Sequence, residues 1–199
     1  MAKIFVVMGK SASGKDTIFK KLAVNEELQL KTVVIYTTRP IRAGETDGVE
    51  YHFVDEARLQ ELEAEGKIIE HRSYNTIHGI WHYFTVADHQ INLDSSNYIM
   101  IGTLEAYEQI EKYYGKDIVS PIYVEVEDGV RLQRALNREK NQIAPKYAEL
   151  CRRFLADEKD FSEEELKRLQ IQQKFSNIDL NQCLKEIEDY INCQINTSY

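Results

Sequence analysis

The sequence predicts an α/β fold in which helices flank a mainly parallel β-sheet. Residues 4–8 form an uninterrupted apolar run, typical of a strand that is buried on both faces of a parallel sheet. A glycine-bearing loop follows this strand and leads into a helical pattern over residues 17–22. Because short apolar runs then alternate with amphipathic segments, we expect strands and helices to alternate around one sheet.

The remaining elements continue this alternation. Apolar or β-branched runs predict further strands at 32–36, 98–101 and 118–126. Helical patterns predict helices at 55–66, 104–114, 129–139 and 147–160. The last helix has the clearest periodicity, with apolar residues from Leu180 to Ile191 at three- and four-residue steps. Asp179 is placed to cap its start, with Gln182 three residues later.

Composition limits the class of protein. A chain of 199 residues with 43% hydrophobic content can bury one substantial core, and its length favours one domain. No stretch approaches the roughly eighteen apolar residues of a membrane span, and the start of the chain lacks a signal-peptide layout, so we expect a cytoplasmic protein with no membrane partner. Three cysteines without CxxC spacing fit free thiols in a reducing compartment. The formal charge of −8 disfavours a nucleic-acid partner.

Residues 9–15, Gly-Lys-Ser-Ala-Ser-Gly-Lys, match the pattern G-x-x-x-x-G-K between the first strand and the first helix. The glycines let successive backbone N–H groups face one anion, the helix N-terminus adds its positive end, and Lys15 can reach the β- and γ-phosphates. This pattern predicts a P-loop NTPase-type fold. The predicted ATP-binding residues are Gly9, Ser11, Ala12, Ser13, Gly14, Lys15, Asp16 and Thr17.

The position after Lys15 departs from the usual pattern. Asp16 stands where a Ser or Thr commonly ligates Mg²⁺, and Thr17 follows it. An aspartate there can bind the metal directly or through water, or can cap the helix. We predict Mg²⁺ as the cofactor bound with ATP and name Thr17 and Asp16 as its candidate ligands, with Thr17 favoured.

A second anion site is predicted within residues 37–53, Thr-Thr-Arg-Pro-Ile-Arg-Ala-Gly-Glu-Thr-Asp-Gly-Val-Glu-Tyr-His-Phe. Pro40 and the glycines favour a loop that aims Arg39 and Arg42 at one spot. Paired guanidinium groups match a doubly charged phosphate through forked hydrogen bonds, and a tyrosine hydroxyl can complete the shell. The alternative interpretation is a solvated arginine-bearing loop.

This string resembles the guanylate kinase motif T-T-R-x-P-R-x-G-E-x-x-G-x-x-Y-x-F. The matching positions are Thr37, Thr38, Arg39, Arg42, Gly44, Glu45, Gly48, Tyr51 and Phe53, while the proline is displaced by one. The similarity continues at residues 66–70, at residues 79–85 with one extra residue, and at residues 176–180 before the last helix. The resemblance thus covers nearly the whole chain.

The resemblance implies roles for individual residues. The acceptor GMP would be bound by Arg39, Arg42, Tyr51, Glu70, Tyr83, Thr85 and Thr103. The implied catalytic residues are Lys15, Arg39, Arg134, Arg138 and Arg153, the last three from a lid. Glu70 also has a chemical rationale, because a carboxylate can accept from both N1–H and the N2 amine of guanine, whereas adenine presents an acceptor at N1.

The resemblance also implies a domain organisation and an activity. We expect a single domain over residues 1–199, with a core at about 1–36, 95–136 and 162–193, an acceptor-binding insert at about 37–94 and a lid at about 137–161. The implied reaction transfers the γ-phosphate of ATP to GMP, giving ADP and GDP. The partners would be these nucleotides, and the protein would be a monomer or a homodimer.

Two departures from the family pattern keep alternatives open. The family's Asp-x-Asp after the third strand is replaced by Ile101 and Thr103, and Ile35 stands where the family has a base-contacting serine. One alternative is a kinase of the same fold for another phosphorylated acceptor, such as a deoxynucleotide or a sugar phosphate. Another is a non-catalytic guanylate-kinase-like binding domain, against which the intact Gly14-Lys15 argues. A GTPase switch would need an Asn/Thr-Lys-x-Asp motif, which the sequence lacks.

Overall fold

The computed structural model describes residues 2–42, 44–76 and 79–196. Over these residues the strands are β1 (Ile4–Met8), β2 (Leu30–Thr32), β3 (Tyr36–Thr37), β4 (His52–Phe53), β5 (Ile68–Thr76), β6 (Gly79–Val86), β7 (Asn97–Ile101), β8 (Val119–Glu125) and β9 (Lys174–Ser176). The helices are α1 (Lys15–Ala23), α2 (Glu56–Ala64), α3 (Leu104–Tyr114), α4 (Asp128–Lys140), α5 (Tyr147–Asp160), α6 (Glu163–Arg168) and α7 (Leu180–Asn196).

A five-stranded parallel sheet with the order β2-β7-β1-β8-β9 forms the centre of the fold. Side chains of the central strand β1 alternate between two cores, as the pleat of a strand requires. Ile4, Val6 and Met8 pack into one apolar cluster, and Phe5 and Val7 pack into the other. Both faces of the sheet are therefore covered, which confirms the predicted α/β fold with a mainly parallel sheet.

The helices supply the cover on each face. On one face, α1 and α7 bury Ile18, Leu22, Ile187 and Ile191, the positions that the helical periodicity of the sequence marks as apolar. Asp179 caps α7 as predicted, because its Oδ1 accepts from the Gln182 N–H at 2.9 Å. On the opposite face, α3 contributes a stripe that includes Tyr107 and Ile110. Burial raises the pKa of the Cys183 thiol, which lies in α7, to about 11.

The segment between β2 and β7 forms a second sheet of four strands, in the order β4-β3-β6-β5. Its long antiparallel pair, β5 and β6, places Glu70 opposite Thr85 and Arg72 opposite Tyr83. These four polar side chains therefore stand at alternate positions on one face of the hairpin. Helix α2 packs on this sheet through Leu59 and Leu62.

The predicted strand at 32–36 is wrong as a single element. Residues 30–32 pair with the central sheet through β7, whereas residues 36–37 belong to the second sheet. Between them the backbone of Val34 bonds to a side chain, because its N–H donates to Gln90 Oε1 at 2.9 Å and its carbonyl accepts from Gln90 Nε2 at 3.1 Å. The apolar run therefore crosses from one sheet to the other.

Five elements were not predicted, namely the strands β4, β5, β6 and β9 and the helix α6. These elements are only two to six residues long or, in β5 and β6, mix polar with apolar and aromatic side chains, so hydrophobic periodicity gives little signal for them. In the described part of the chain, no helix combines the length and the apolarity needed to cross a bilayer.

Candidate functional site

The loop between β1 and α1 has the backbone geometry of an anion cradle. Gly9 adopts φ +154°, and a Cβ at this position would lie 2.4 Å from the Val124 carbonyl oxygen. Gly14, with φ +88°, precedes α1, and a Cβ there would lie 2.3 Å from Asn177 Nδ2. Both positions therefore require glycine, because another side chain would push the loop off the sheet.

Two further features show strain and unmet hydrogen bonding inside this cradle. Ala12 adopts φ +64°, a left-handed conformation that is uncommon for residues other than glycine. Ser13 is 1% exposed, and its Oγ is the buried side-chain polar atom without a partner among the described residues. Asn177, which follows β9, braces the loop by donating from Nδ2 to the Ser13 carbonyl at 2.7 Å. A buried, unpaired hydroxyl is expected where a ligand completes the bonding.

Lys15 and Asp16 open the first turn of α1 and line a cavity of about 680 Å³. Lys15 Nζ lies 3.6 Å from Asp16 Oδ2. The same cavity is lined by Tyr51 and Tyr83 from the second predicted anion site. The structure thus brings the cradle lysine and the acceptor tyrosines to one space. Thr17 is exposed on α1 and does not contribute to this lining.

A resident metal site built from protein side chains is not found in the described residues, which contain no group of three or more His, Cys, Asp or Glu suited to hold a metal ion. Mg²⁺ bound with a nucleotide needs less, because it keeps several waters and takes ligands from the phosphates. The exposed carboxylate of Asp16 at the cavity supplies one protein oxygen of the required kind. The structure thus places the Asp16 carboxylate at the cavity and Thr17 outside its lining, and the assignment of either residue to Mg²⁺ stays a prediction.

Helix α5 contacts the cradle through two adjacent acidic side chains. The Ser11 N–H, one of the cradle amides, donates to Asp157 Oδ2 at 2.8 Å. Lys10 Nζ donates to Glu158 Oε1 at 2.7 Å. A carboxylate thus occupies a backbone donor that a phosphate oxygen would use.

Arg131 of α4 holds this arrangement together. Its side chain is 1% exposed, and its guanidinium group contacts Asp128, Asp157 and Glu158 at 2.9, 3.1 and 2.6 Å. It also lies 4.2 Å from the ring centroid of Phe154. The region where the family resemblance places a lid is therefore joined to the cradle by a buried arginine with three acidic partners.

The second anion site is built around Arg39. This side chain is 3% exposed, and its two terminal nitrogens donate to the two oxygens of Glu45 at 2.9 and 2.8 Å. The guanidinium carbon lies 5.2 Å from the ring centroid of Tyr51 and 5.4 Å from that of Phe53. Glu45 also accepts from the Arg42 N–H at 2.8 Å. The glutamate of the motif thus fixes the guanidinium group of Arg39 and the backbone of Arg42, which gives the Glu of the Gly-Glu pair a structural role.

Three of the predicted arginines line one space. Arg42, Arg138 and Arg153 border a cavity of about 540 Å³ that also includes Ser11 of the cradle. Arg153 Nε donates to Glu149 Oε1 at 2.8 Å. Arg134 lies elsewhere, since its Nη2 donates to the carbonyl of Asn177 at 2.9 Å. It therefore contacts the segment that braces the cradle rather than the cavity with the other arginines.

The residues predicted to contact a base lie on the β5–β6 hairpin. Glu70 and Thr85 are each 1% exposed, and Thr85 Oγ1 donates to Glu70 Oε1 at 2.9 Å. Arg72 Nε donates to Glu70 Oε2 at 2.9 Å. Thr103, which caps α3, lines the same cavity as Lys15 and Arg72.

A family model described as guanylate kinase matches residues 1–193. The chain belongs to the guanylate kinase family. A guanylate kinase of Schizosaccharomyces pombe is 46% identical over 68 residues, and one of Alkalilimnicola ehrlichii is 44% identical over 68 residues. These aligned regions span about a third of each relative's length, 34% and 33%, and 34% of this chain.

Longer matches extend the likeness beyond these regions. A guanylate kinase of Legionella pneumophila strain Lens is 29% identical over 140 residues, which is 70% of this chain and 65% of that protein. The crystal structure of guanylate kinase from Anaplasma phagocytophilum superposes with a TM-score of 0.63 at 20% identity, over 97% of this chain and 86% of that one. The fold of the guanylate kinase family is therefore present in nearly the whole chain.

Several residues of this guanylate kinase-family site were not predicted. Asn177 lies in the segment 176–180 that resembles the family, but this resemblance does not predict its contact with the cradle. Asp157 and Glu158 gave no motif, because their contacts to Ser11 and Lys10 join segments about 150 residues apart, at separations of 146 and 148. Arg72 did leave a signal, since opposite charges two positions apart on a strand face the same side.

Proposed function

We propose that the chain transfers the γ-phosphate of ATP to GMP and releases ADP and GDP. The observation that carries this proposal is the single cavity lined by Lys15 from the cradle and by Tyr51 and Tyr83 from the acceptor loop. Donor and acceptor phosphates bound by these residues would meet in one space, as transfer requires. The family of the chain and the names of its relatives point to the same reaction.

The cradle would bind the donor. Its backbone N–H groups and the start of α1 offer a positive end to the phosphates, and Lys15 would reach the β- and γ-phosphates. The unpaired Ser13 Oγ supports a ligand at this place. Asp16, which lines the cavity with Lys15, would help to hold the Mg²⁺ bound with ATP, and the metal would offset the charge of the phosphates.

The acceptor loop would hold the phosphate of GMP. Arg39 is fixed by Glu45, so its orientation is set before any ligand binds. Tyr51 and Tyr83, whose ring centroids lie 5.7 Å apart, would add hydroxyl donors. The attacking phosphate oxygen is already anionic, so positioning and charge neutralisation suffice and no general base is needed.

The lid would complete the site. Arg138 and Arg153 share a cavity with Arg42 and the cradle residue Ser11, so they can offset negative charge that develops on the transferred group. Closing this segment would also exclude water and prevent hydrolysis of ATP. Arg134, bound to Asn177, would act from the donor side.

A panel of acceptors tests the proposal. With ATP and Mg²⁺, a coupled assay should give its highest kcat/KM with GMP when GMP, dGMP, AMP, UMP and ribose phosphates are compared. A higher value on another acceptor would reject GMP and retain a phosphotransferase. No transfer to any acceptor would favour a binding domain.

We also propose that the protein acts in the cytosol without a nucleic-acid or membrane partner, as a monomer or homodimer.

The contact between α5 and the cradle leads to a prediction for ATP. The Asp157 carboxylate and a phosphate oxygen compete for the Ser11 N–H, which donates to Asp157 at 2.8 Å. We expect Asp157→Ala to lower the KM for ATP by roughly tenfold, because a charge-assisted hydrogen bond contributes about 1.5–3 kcal/mol. Initial rates at varied ATP measure this change. Glu164→Ala, an exposed acidic residue of α6, is the control, and an unchanged KM in Asp157→Ala would contradict the competition.

A further inference from the structure

Arg72 is a charged side chain buried at the wall of the proposed acceptor cavity. It is 7% exposed and lines the cavity of about 680 Å³ together with Lys15 and Tyr83. Glu70, the residue that the family resemblance assigns to guanine, is not among the residues that line this cavity. Its side chain is 0% exposed behind Arg72. A base that enters the cavity therefore faces a guanidinium group before it faces a carboxylate.

The hydrogen bonds of Glu70 assign it a supporting position. Oε2 accepts from Arg72 Nε at 2.9 Å, and Oε1 accepts from Arg72 Nη2 at 3.2 Å and from Thr85 Oγ1 at 2.9 Å. Both oxygens are thus engaged by protein donors. The paired geometry holds the guanidinium plane in one orientation.

The backbone beneath Arg72 is also fixed. Its position on β5 is paired with Tyr83 on β6. The neighbouring residue His71 is tied to α3, because its N–H donates to Gln109 Oε1 at 3.0 Å and its carbonyl accepts from Gln109 Nε2 at 3.3 Å. Arg72 Nη1 lies 3.4 Å from Thr103 Oγ1 at the start of the same helix. Arg72 therefore has the rigidity that a specificity residue needs.

The guanidinium group keeps donors for a ligand. Arginine has five N–H groups; the bonds to Glu70 and Thr103 use three of them, and the Tyr74 hydroxyl, which also lines the cavity, interacts with the remaining donors. The cavity around it is walled by apolar side chains, including Val34, Ile35 and Ile101. Ile35 and Ile101 stand where the family pattern has polar residues, so Arg72 supplies polarity where those two polar side chains are missing.

We propose that Arg72 is a specificity-determining residue, which reads the acceptor base by donating to guanine O6, with N7 as the second acceptor, and that Glu70 is a positioning residue for Arg72. This inference rests on the proposed transfer to GMP and names how the base is recognised. Guanine presents acceptors at both O6 and N7, the pair that an arginine matches in a bidentate contact. Adenine presents a donor at N6, which would oppose the guanidinium group.

Inosine monophosphate tests the proposed role of Arg72 in the unmodified protein. It has the O6 and N7 of guanine but lacks the 2-amino group. If Arg72 reads the base, kcat/KM for inosine monophosphate should lie within about threefold of that for GMP, and both should exceed AMP by about ten- to a hundredfold. If Glu70 reads N1–H and the 2-amino group, loss of that amine leaves a buried acceptor unpaired, and inosine monophosphate should fall about a hundredfold or more below GMP.

Arg72→Lys provides a second test, because it keeps a positive charge beside Glu70 and removes the bidentate donor. We expect kcat/KM for GMP and for inosine monophosphate to fall together by about ten- to a hundredfold, mainly through KM, while AMP changes by less than about threefold. Arg58→Lys is the matched control, since Arg58 is half-exposed on α2 and pairs with Glu61. Thermal unfolding of both variants checks that the fold is intact.

The outcomes separate the inference from the function on which it rests. Inosine monophosphate near GMP, with joint loss in Arg72→Lys, supports the inference. Strong discrimination against inosine monophosphate, or an unchanged GMP-to-AMP ratio in a folded Arg72→Lys, overturns the role of Arg72 and leaves GMP phosphorylation standing. If Arg72→Lys does not fold, the comparison in the unmodified protein decides. Absence of transfer to every nucleotide would overturn the proposed function and the inference with it.

Discussion

Lys15→Ala is expected to lower kcat about a thousandfold, because removal of one preorganised donor aimed at developing charge typically costs a hundred- to a thousandfold. Lys15 lies at the start of α1 and lines the cavity that would hold both phosphates. Its side chain is 19% exposed, and its carboxylate neighbour Asp16 lies at 3.6 Å, so its loss should cost little stability. Initial rates with saturating ATP and GMP measure the change.

The matched control is Lys21→Ala, which removes an exposed lysine from the last turn of the same helix. It should leave kcat within about twofold, because a solvated surface charge far from the phosphates contributes little. Circular dichroism and thermal unfolding should be alike for both variants. A Lys15→Ala protein that is folded and retains kcat within tenfold of the unmodified chain would remove Lys15 from the catalytic machinery.

Arg39→Ala should raise the KM for GMP about a hundredfold, since a bidentate contact to phosphate comprises two charge-assisted hydrogen bonds. Arg39 is buried and held by Glu45 on one side and by the rings of Tyr51 and Phe53 on the other. The donor cradle does not depend on these contacts, so the KM for ATP should change by less than about threefold. Initial rates at varied GMP and at varied ATP separate the two effects.

Arg152→Ala is the control for this variant, because Arg152 is 66% exposed and bonds to Glu149 on α5. It should leave both KM values unchanged. Arg39→Lys distinguishes charge from geometry, since a lysine keeps the charge and loses the forked donor pair, and we expect an intermediate KM. Equal rises in the KM for GMP and for ATP in Arg39→Ala would indicate a general loss of structure instead of a lost acceptor contact.

The parts of the fold that depend on local pattern could be predicted from the sequence. The strand at Ile4–Met8 and the cap at Asp179 follow from residues that are adjacent in the sequence, and both predictions are confirmed. The cradle follows from short-range spacing, because Gly9 and Gly14 are placed where a side chain would collide with the chain. The arginine–tyrosine string predicted a second anion site for the same reason. Its residues remain proposals as ligands of GMP.

The parts that depend on contacts across the chain could not be predicted. Arg131 has no role among the predicted residues, because its burial against Asp157 and Glu158 requires α4 and α5 to pack together. The pairing of Arg72 with Glu70 is local, but its burial depends on the packing of β5 with β6 and α3. Side chains of opposite charge two positions apart are common on the surface, and burial is what gives this pair its consequence.

The proposed function requires two anion sites, one at the cradle and one at the arginine–tyrosine loop, that face each other. Calorimetric titration with adenosine and guanosine joined 5′ to 5′ by five phosphates tests it most directly. We expect one molecule bound per chain, at least about a hundredfold more tightly than ATP or GMP alone, because linking two ligands makes the second binding event intramolecular. Binding no tighter than that of the better single nucleotide, or binding that leaves GMP free to bind alongside, would contradict the claim.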